Sequence, residues 1–294
     1  MIGGMATPVV AVLGTGVMGA GMVGSLRRAG IPVRAWNRDP AKARALTGTG
    51  AEAVDSPADA VAGADVVVTM LFDADSTIDV VRQAVPAPGT VWLQTATVGI
   101  EGADRTVQAA AELGLVLVDC PVLGTRKPAE DGTLVMLASG PREDVEERLA
   151  PVLDAVGSRT LWAGEAGQGT RLKLACNAWV LSVTAGVAQS IGLARGLGVD
   201  PQLFLDAITG GASDTPYAHV KGAAMMAGEY PVSFSLAGGL KDGRLIVEAL
   251  RSAGVTDQLA GAVVSALEVA VDQVPDPYMV DLAALFAAFA PRGG

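Results

Sequence analysis

Six short apolar runs, at 9–13, 32–36, 65–71, 91–94, 115–118 and 134–138, punctuate the first half of the chain, with Ala-rich, charge-bearing stretches such as 101–112 between them. Strands that are apolar nearly throughout bury both faces, and helix-length connections let successive strands run parallel. The alternation predicts an α/β domain built on a parallel sheet covered by helices on both sides. Half of all residues are hydrophobic but only 4% are aromatic, so packing rests on Ala, Val, Leu and Met, which favours closely spaced helices and buried strands over a β-sandwich. Strand signals fade beyond about residue 165, and Asp200-Pro201 reads as a helix cap followed by proline in the first turn. At 294 residues the chain exceeds what one core readily fills. We expect a Rossmann-type domain over residues 1–165 and an all-helical domain over 166–294, with a long helix at about 167–196 as the junction.

That helix includes 21 consecutive uncharged residues, Leu174 to Ala194, a length that also suits a membrane span. Asn177, Ser182, Thr184, Gln189 and Ser190 interrupt it, and Lys173 and Arg195 bracket it. The reading is an interior helix, buried on all sides in a core or at a subunit interface, rather than a membrane segment. The formal net charge of −10 suits neither nucleic acid nor anionic lipid, so any bound phosphate must meet a local positive site. Cys120 and Cys176 show neither metal-ligand nor disulfide spacing, and the amino terminus lacks the pattern of a signal peptide, so a reducing cytoplasm is the expected location. No metal-ligand cluster is evident.

The stretch AVLGTGVMGAGM carries Gly14, Gly16 and Gly19 directly after the strand VVAVL and before a helical stretch through Leu26. A dinucleotide-binding turn needs this arrangement: one glycine for the turn, one for backbone approach to the pyrophosphate, one for close helix packing. Val17 and Met18 at the helix start, and Leu71 at the end of the 65–71 run, are placed with them as cofactor contacts. The second strand ends in AWNRDP, where an NAD enzyme usually presents a carboxylate to the ribose. Asn37 and Arg38 stand there instead; Asn37 can donate a hydrogen bond and Arg38 can pair with a 2′-phosphate, so NADP(H) is preferred, with NAD(H) as the alternative.

Downstream, DCPVLGTRKPAEDGTL (119–134) and GQGTRLKLACN (167–177) bring the chain into resemblance with the β-hydroxyacid dehydrogenase family, which includes 3-hydroxyisobutyrate dehydrogenases and glyoxylate or succinic semialdehyde reductases. Four motifs carry the likeness in order: the glycine turn, an Asp-x-Pro-Val-x-Gly substrate loop, a Lys-x-x-x-Asn pair at Lys173 and Asn177, and Lys241-Asp242. The resemblance implies that Lys173 is catalytic, that Thr97 lies near the nicotinamide, and that Lys241 contacts substrate or nicotinamide. The chemistry agrees. Carbonyl reduction builds negative charge on oxygen, which an ammonium in hydrogen-bond reach stabilises and protonates. Asn177, four residues on, shares the helix face of Lys173 and can orient it or bind a substrate oxygen.

The substrate loop departs from the family pattern. A serine and two glycines would grip a carboxylate, but this chain has Leu123, Gly124 and Thr125. Thr125 and the peptide amides of Gly124 and Thr125 can still hold an anion. Leu123 either narrows the pocket, favouring an apolar substituent on the substrate, or belongs to the core. The segment KPAEDGTL resembles the semialdehyde reductase variants. Two other readings stay open: an imine reductase, a class that usually has aspartate or tyrosine in place of the lysine, and a non-catalytic dinucleotide-binding protein. His219, the sole histidine, has no acidic partner at a motif spacing and is assigned to surface or packing. The resemblance and the uncharged helix together imply a homodimer or homotetramer acting on a small-molecule substrate.

Overall fold

The computed structural model describes residues 7–290. The chain forms two compact units; the first ends at Lys173 and the second begins at Leu174, inside a helix that contributes to both. The boundary expected at 165/166 falls just before that helix.

The first unit runs β1 (Val10–Leu13), α1 (Val17–Arg28), β2 (Val33–Trp36), α2 (Pro40–Arg44), β3 (Glu52–Ala53), α3 (Pro57–Val61), β4 (Val66–Thr69), α4 (Ala74–Ala84), β5 (Val91–Gln94), α5 (Gly99–Glu112) and β6 (Val116–Asp119). It continues with β7 (Val122–Leu123), α6 (Arg126–Asp131), β8 (Leu134–Ala138), α7 (Arg142–Val156), β9 (Gly157–Trp162) and the start of α8 (Gln168–Gly196). Six strands form one parallel sheet in the order β3-β2-β1-β4-β5-β6. Strands β1, β4 and β5 are buried along their whole length, as their unbroken apolar sequences require. Alternate residues feed two cores. Val10, Val12, Val66 and Val68 pack with Met22 and Leu26 of α1, whereas Ala11, Leu13 and Val67 pack with Ile78 and Val81 of α4. The strand order reverses between β1 and β4, and such a switch leaves a crevice beyond the carboxyl ends of the strands.

The run at 134–138 does not extend this sheet. As β8 it lies in a separate three-stranded sheet, antiparallel to β7 and parallel to β9. Residues 124–133, including the short α6, are all that separate β7 from β8, fewer than the dozen or so that a parallel crossover needs. A single antiparallel bridge, Asp119 to Ser139, joins the end of β6 to the residue after β8.

The second unit takes the rest of α8 and adds α9 (Pro201–Ile208), α10 (Pro216–Ala227), α11 (Leu236–Ser252) and α12 (Gln258–Val271). Asp200 caps α9 by accepting from the Gln202 amide at 2.9 Å, with Pro201 in the first turn. Among the described residues α8 is the one helix long and apolar enough to cross a membrane. Within this chain it is buried over part of its surface. Leu181, Val187, Ala188 and Ile191 are buried, but Trp179 is 67% and Leu193 61% exposed.

One buried ion pair ties this unit together. Asp281 Oδ1 accepts from Lys221 Nζ at 2.6 Å and from the Ala283 amide at 2.9 Å. Its Oδ2 accepts from Ser233 Oγ, the Ser233 amide and the Phe234 amide at 2.8, 3.0 and 3.1 Å. Asp281 thereby caps the closing 3-10 segment Leu282–Ala288, whose Leu282, Ala283, Ala284 and Leu285 are buried.

Candidate active site

The glycine turn divides its labour by geometry. Gly14 sits at φ +104°, and a side chain there would strike the Met70 carbonyl and crowd Leu71. A side chain at Gly19 would strike the Gly14 carbonyl, so this glycine lets α1 pack against the turn. Gly16 is different: a Cβ there meets nothing within 4 Å. Its smallness therefore answers to no neighbour within the chain, which is what close approach of the protein backbone to a bound pyrophosphate calls for. Gly16 precedes α1 without a side-chain cap, the first turn of α1 has no acidic residue, and Gly16 and Val17 are exposed with Met18 half-buried. Unpaired amides at such an amino terminus attract an anion. Thr15 Oγ1 is buried beside them with no hydrogen-bond partner. These features fit the pyrophosphate of a dinucleotide.

At the end of β2, Asn37 Oδ1 accepts from the Asp39 amide at 2.9 Å, and Asp39 in turn caps α2. This orients the Asn37 amide nitrogen away as a donor. Arg38 is exposed beside it. Leu71 follows β4 and is half-buried. Thr97, also half-buried, lies in the loop after β5, where Gln94 pins Ala96 by accepting from its amide at 2.7 Å and donating to its carbonyl at 2.8 Å.

Beyond β6 the chain passes through Cys120 and Pro121 into β7. Burial pushes the Cys120 thiol up, which removes it as a nucleophile. Leu123 pairs in register with Val135 and is half-buried, Gly124 is exposed, and Thr125 precedes α6. A side chain at Gly124 would collide with Leu134 and Pro128. Lys173, on α8, is only 8% exposed. Asp119, which the sequence reading gave no role, holds the first turn of this helix: its carboxylate accepts from the Thr170 amide at 2.8 Å and from Thr170 Oγ1 at 2.7 Å. Burial pushes the Asp119 carboxyl above its usual range, while the hydrogen bonds from Thr170 and Ser139 oppose the shift.

In the second unit Asn177 is buried and donates to Asp242 Oδ2 at 2.7 Å, and Lys241 Nζ lies 3.0 Å from Asp242 Oδ1. In the sequence Asp242 stands out only as the neighbour of Lys241 in the fourth motif. It joins Asn177 as well, and because a carboxylate only accepts, it turns the Asn177 Oδ1 the other way. The spacing of 65 residues hides this contact from any local motif. His219 also has a partner after all: Asp214 Oδ1 lies 2.6 Å from its Nε2. The Gly210 amide and His219 hold the Asp214 carboxyl below its usual range. Asp214 precedes α10, so the pair braces a helix entrance rather than a motif.

The chain is similar to known proteins over nearly its whole length. Residues 9–164 match the family described as the NAD binding domain of 6-phosphogluconate dehydrogenase, and residues 167–284 that described as NAD-binding of NADP-dependent 3-hydroxyisobutyrate dehydrogenase. Glyoxylate/succinic semialdehyde reductase 2 of Arabidopsis thaliana is 32% identical over 263 residues, covering 88% of this chain and 73% of the relative. The structure of 3-hydroxyisobutyrate dehydrogenase from Mycobacterium tuberculosis, with L-serine, matches with a TM-score of 0.84 at 26% identity, covering 96% of this chain and 98% of that one. An imine reductase from Pseudomonas sp. shares the fold at a TM-score of 0.62 and 21% identity, over 96% and 99% of the two chains.

Proposed function

The chain belongs to the β-hydroxyacid dehydrogenase family of NAD(P)-dependent oxidoreductases, and from that premise we propose that it prefers NADP(H) and reduces a small aldehyde or keto acid, or oxidises the corresponding hydroxy acid, with Lys173 as general acid and base. The observation that carries this reading is a buried lysine one helical turn before an asparagine whose amide is fixed by Asp242. Bound at the glycine turn, the reduced cofactor supplies the hydride. The Lys173 ammonium delivers a proton to the carbonyl oxygen as charge grows there, and in the reverse direction the neutral amine removes it. Asn177 Oδ1 is the acceptor that orients the ammonium or a substrate hydroxyl. Gly124 and Thr125 offer amides to a carboxylate, and Lys241 adds positive charge toward substrate or cofactor.

Turnover of NADPH and NADH, in parallel, with glyoxylate, succinic semialdehyde and a cyclic imine tests the reading. Aldehyde reduction is expected. Efficient reduction of the imine alone would favour the imine reductase alternative, which Lys173 argues against, and no oxidation of either cofactor would leave a binding protein.

Cofactor preference is expected to follow Arg38. Arg38→Asp removes a phosphate partner and adds repulsion, a loss of about 1.5–3 kcal/mol, or roughly tenfold to more than a hundredfold in NADPH affinity. NADH affinity should change little. Titrating both cofactors by fluorescence checks this, and equal losses would contradict the phosphate assignment.

Substrate preference is expected to follow Leu123. Leu123→Ser restores a hydroxyl donor for a carboxylate and gives up apolar contact worth about 1.5–3 kcal/mol where substrate fully covers the side chain. The ratio of kcat/KM between a small polar aldehyde and a bulkier apolar one should shift toward the former. An unchanged ratio places Leu123 in the core alone.

A further inference from the structure

Helix α8 starts without a cap of its own. Gly167, just before its first residue, has φ +93° and no side chain, so the opening amides of the helix need acceptors from elsewhere. Two side chains from the strand ends supply them. The Gly169 amide donates to Ser139 Oγ at 2.9 Å, and the Thr170 amide donates to Asp119 Oδ2 at 2.8 Å. Thr170 Oγ1 adds a second bond to Asp119 Oδ1 at 2.7 Å. Ser139 Oγ donates to the Asp119 carbonyl at 3.0 Å, closing the group on itself. Asp119, Ser139 and Thr170 are all at most 2% exposed. The fit leaves no slack: a side chain at Gly169 would strike the Leu137 carbonyl and come within 2.8 Å of the Asp119 carbonyl.

We propose that Asp119 is a positioning residue for Lys173, capping α8 from the end of β6 so that the lysine is held in register with the loop that Asp119 itself opens. The inference rests on the assignment of Lys173 as proton donor. Lys173 lies three residues beyond Thr170, within a turn of the capped amides, and Leu123 lies four residues beyond Asp119. A single carboxylate thus anchors both chain segments that must meet the substrate. Proton transfer demands heavy atoms within about 2.6–3.2 Å, and a misplacement of about 1 Å costs on the order of a hundredfold in rate. Asp119 touches no reacting atom in this arrangement; it acts through the helix.

The test compares Asp119→Ala, Thr170→Val and Thr170→Ser with the parent enzyme, each also on a Lys173→Ala background. Asp119→Ala is expected to lower kcat about 30- to 100-fold, with substrate KM and NADPH Kd within about threefold. Thr170→Val, which keeps the backbone bond, should lower kcat about tenfold, and Thr170→Ser should restore it by keeping the hydroxyl. On the Lys173→Ala background, Asp119→Ala should cost less than about twofold more, because a group that acts only through the lysine has nothing left to position. Hydrogen exchange of the 164–172 segment should quicken in Asp119→Ala independently of turnover. Unchanged kcat in both Asp119→Ala and Thr170→Val, or the same loss with and without Lys173, would overturn the positioning role. Should Asp119→Ala fail to fold, Thr170→Val against Thr170→Ser carries the comparison alone. Near-parent turnover by Lys173→Ala itself would instead sink the proton-donor assignment, and this proposal with it.

Discussion

Lys173→Ala is expected to cut kcat by about a hundredfold or more while NADPH affinity stays nearly unchanged, the loss that follows removal of a positioned general acid. The expected cofactor contacts, in the glycine turn, at the end of β2 and at Leu71, Thr97 and Lys241, do not include Lys173, so binding should survive. Lys173→Arg should not rescue turnover. Arginine keeps the charge but does not release a proton near neutral pH, so it separates electrostatic anchoring from proton transfer. Single-turnover measurement of the hydride step, alongside fluorescence titration of NADPH, checks both. Near-native turnover in the arginine variant would mean that charge alone suffices.

Asp281→Ala is expected to destabilise the protein by about 3–5 kcal/mol at neutral pH, because it leaves the buried Lys221 ammonium uncompensated. Three backbone amides lose their acceptor as well. The pH dependence has a definite sign. Burial opposes ionisation of Asp281, but the Lys221 charge and hydrogen bond, with the Ala283 and Ser233 amides, outweigh it and hold the carboxyl below its usual range. A carboxyl depressed in the folded state contributes its stability above the unfolded value of about 3.9, and that contribution is lost as pH falls through the folded value. The gap between parent and variant should therefore be full at pH 7 and narrow only below about pH 4. Urea unfolding followed by circular dichroism across this range measures it. A gap that stays constant with pH would show that the ionised carboxylate is not its source.

Much of this molecule is legible in the order of its residues, because local patterns follow from backbone geometry alone. Unbroken apolar runs specified β1, β4 and β5, the glycine turn announced its place between strand and helix, and α8 was located to within a residue or so of Gln168–Gly196. The four-residue step from Lys173 to Asn177 put both on one helix face for the same reason. Where the period was too short to repeat, the reading stopped: β3 and β7 are two residues each and left no pattern. Assigning β8 to a sheet needed the length of the α6 connection, and the exposed stripe of α8 needed to know which neighbours exist. The partners of the site's polar groups lay further still from view. Asp119 reaches Thr170 across 51 residues and Asn177 reaches Asp242 across 65. Even Asp214, five residues from His219, meets it only because the chain turns into α10 between them. Periodicity determined which elements form and which faces they bury. Which carboxylate meets which amide depends on how the chain closes on itself, and that was decided by the tertiary structure.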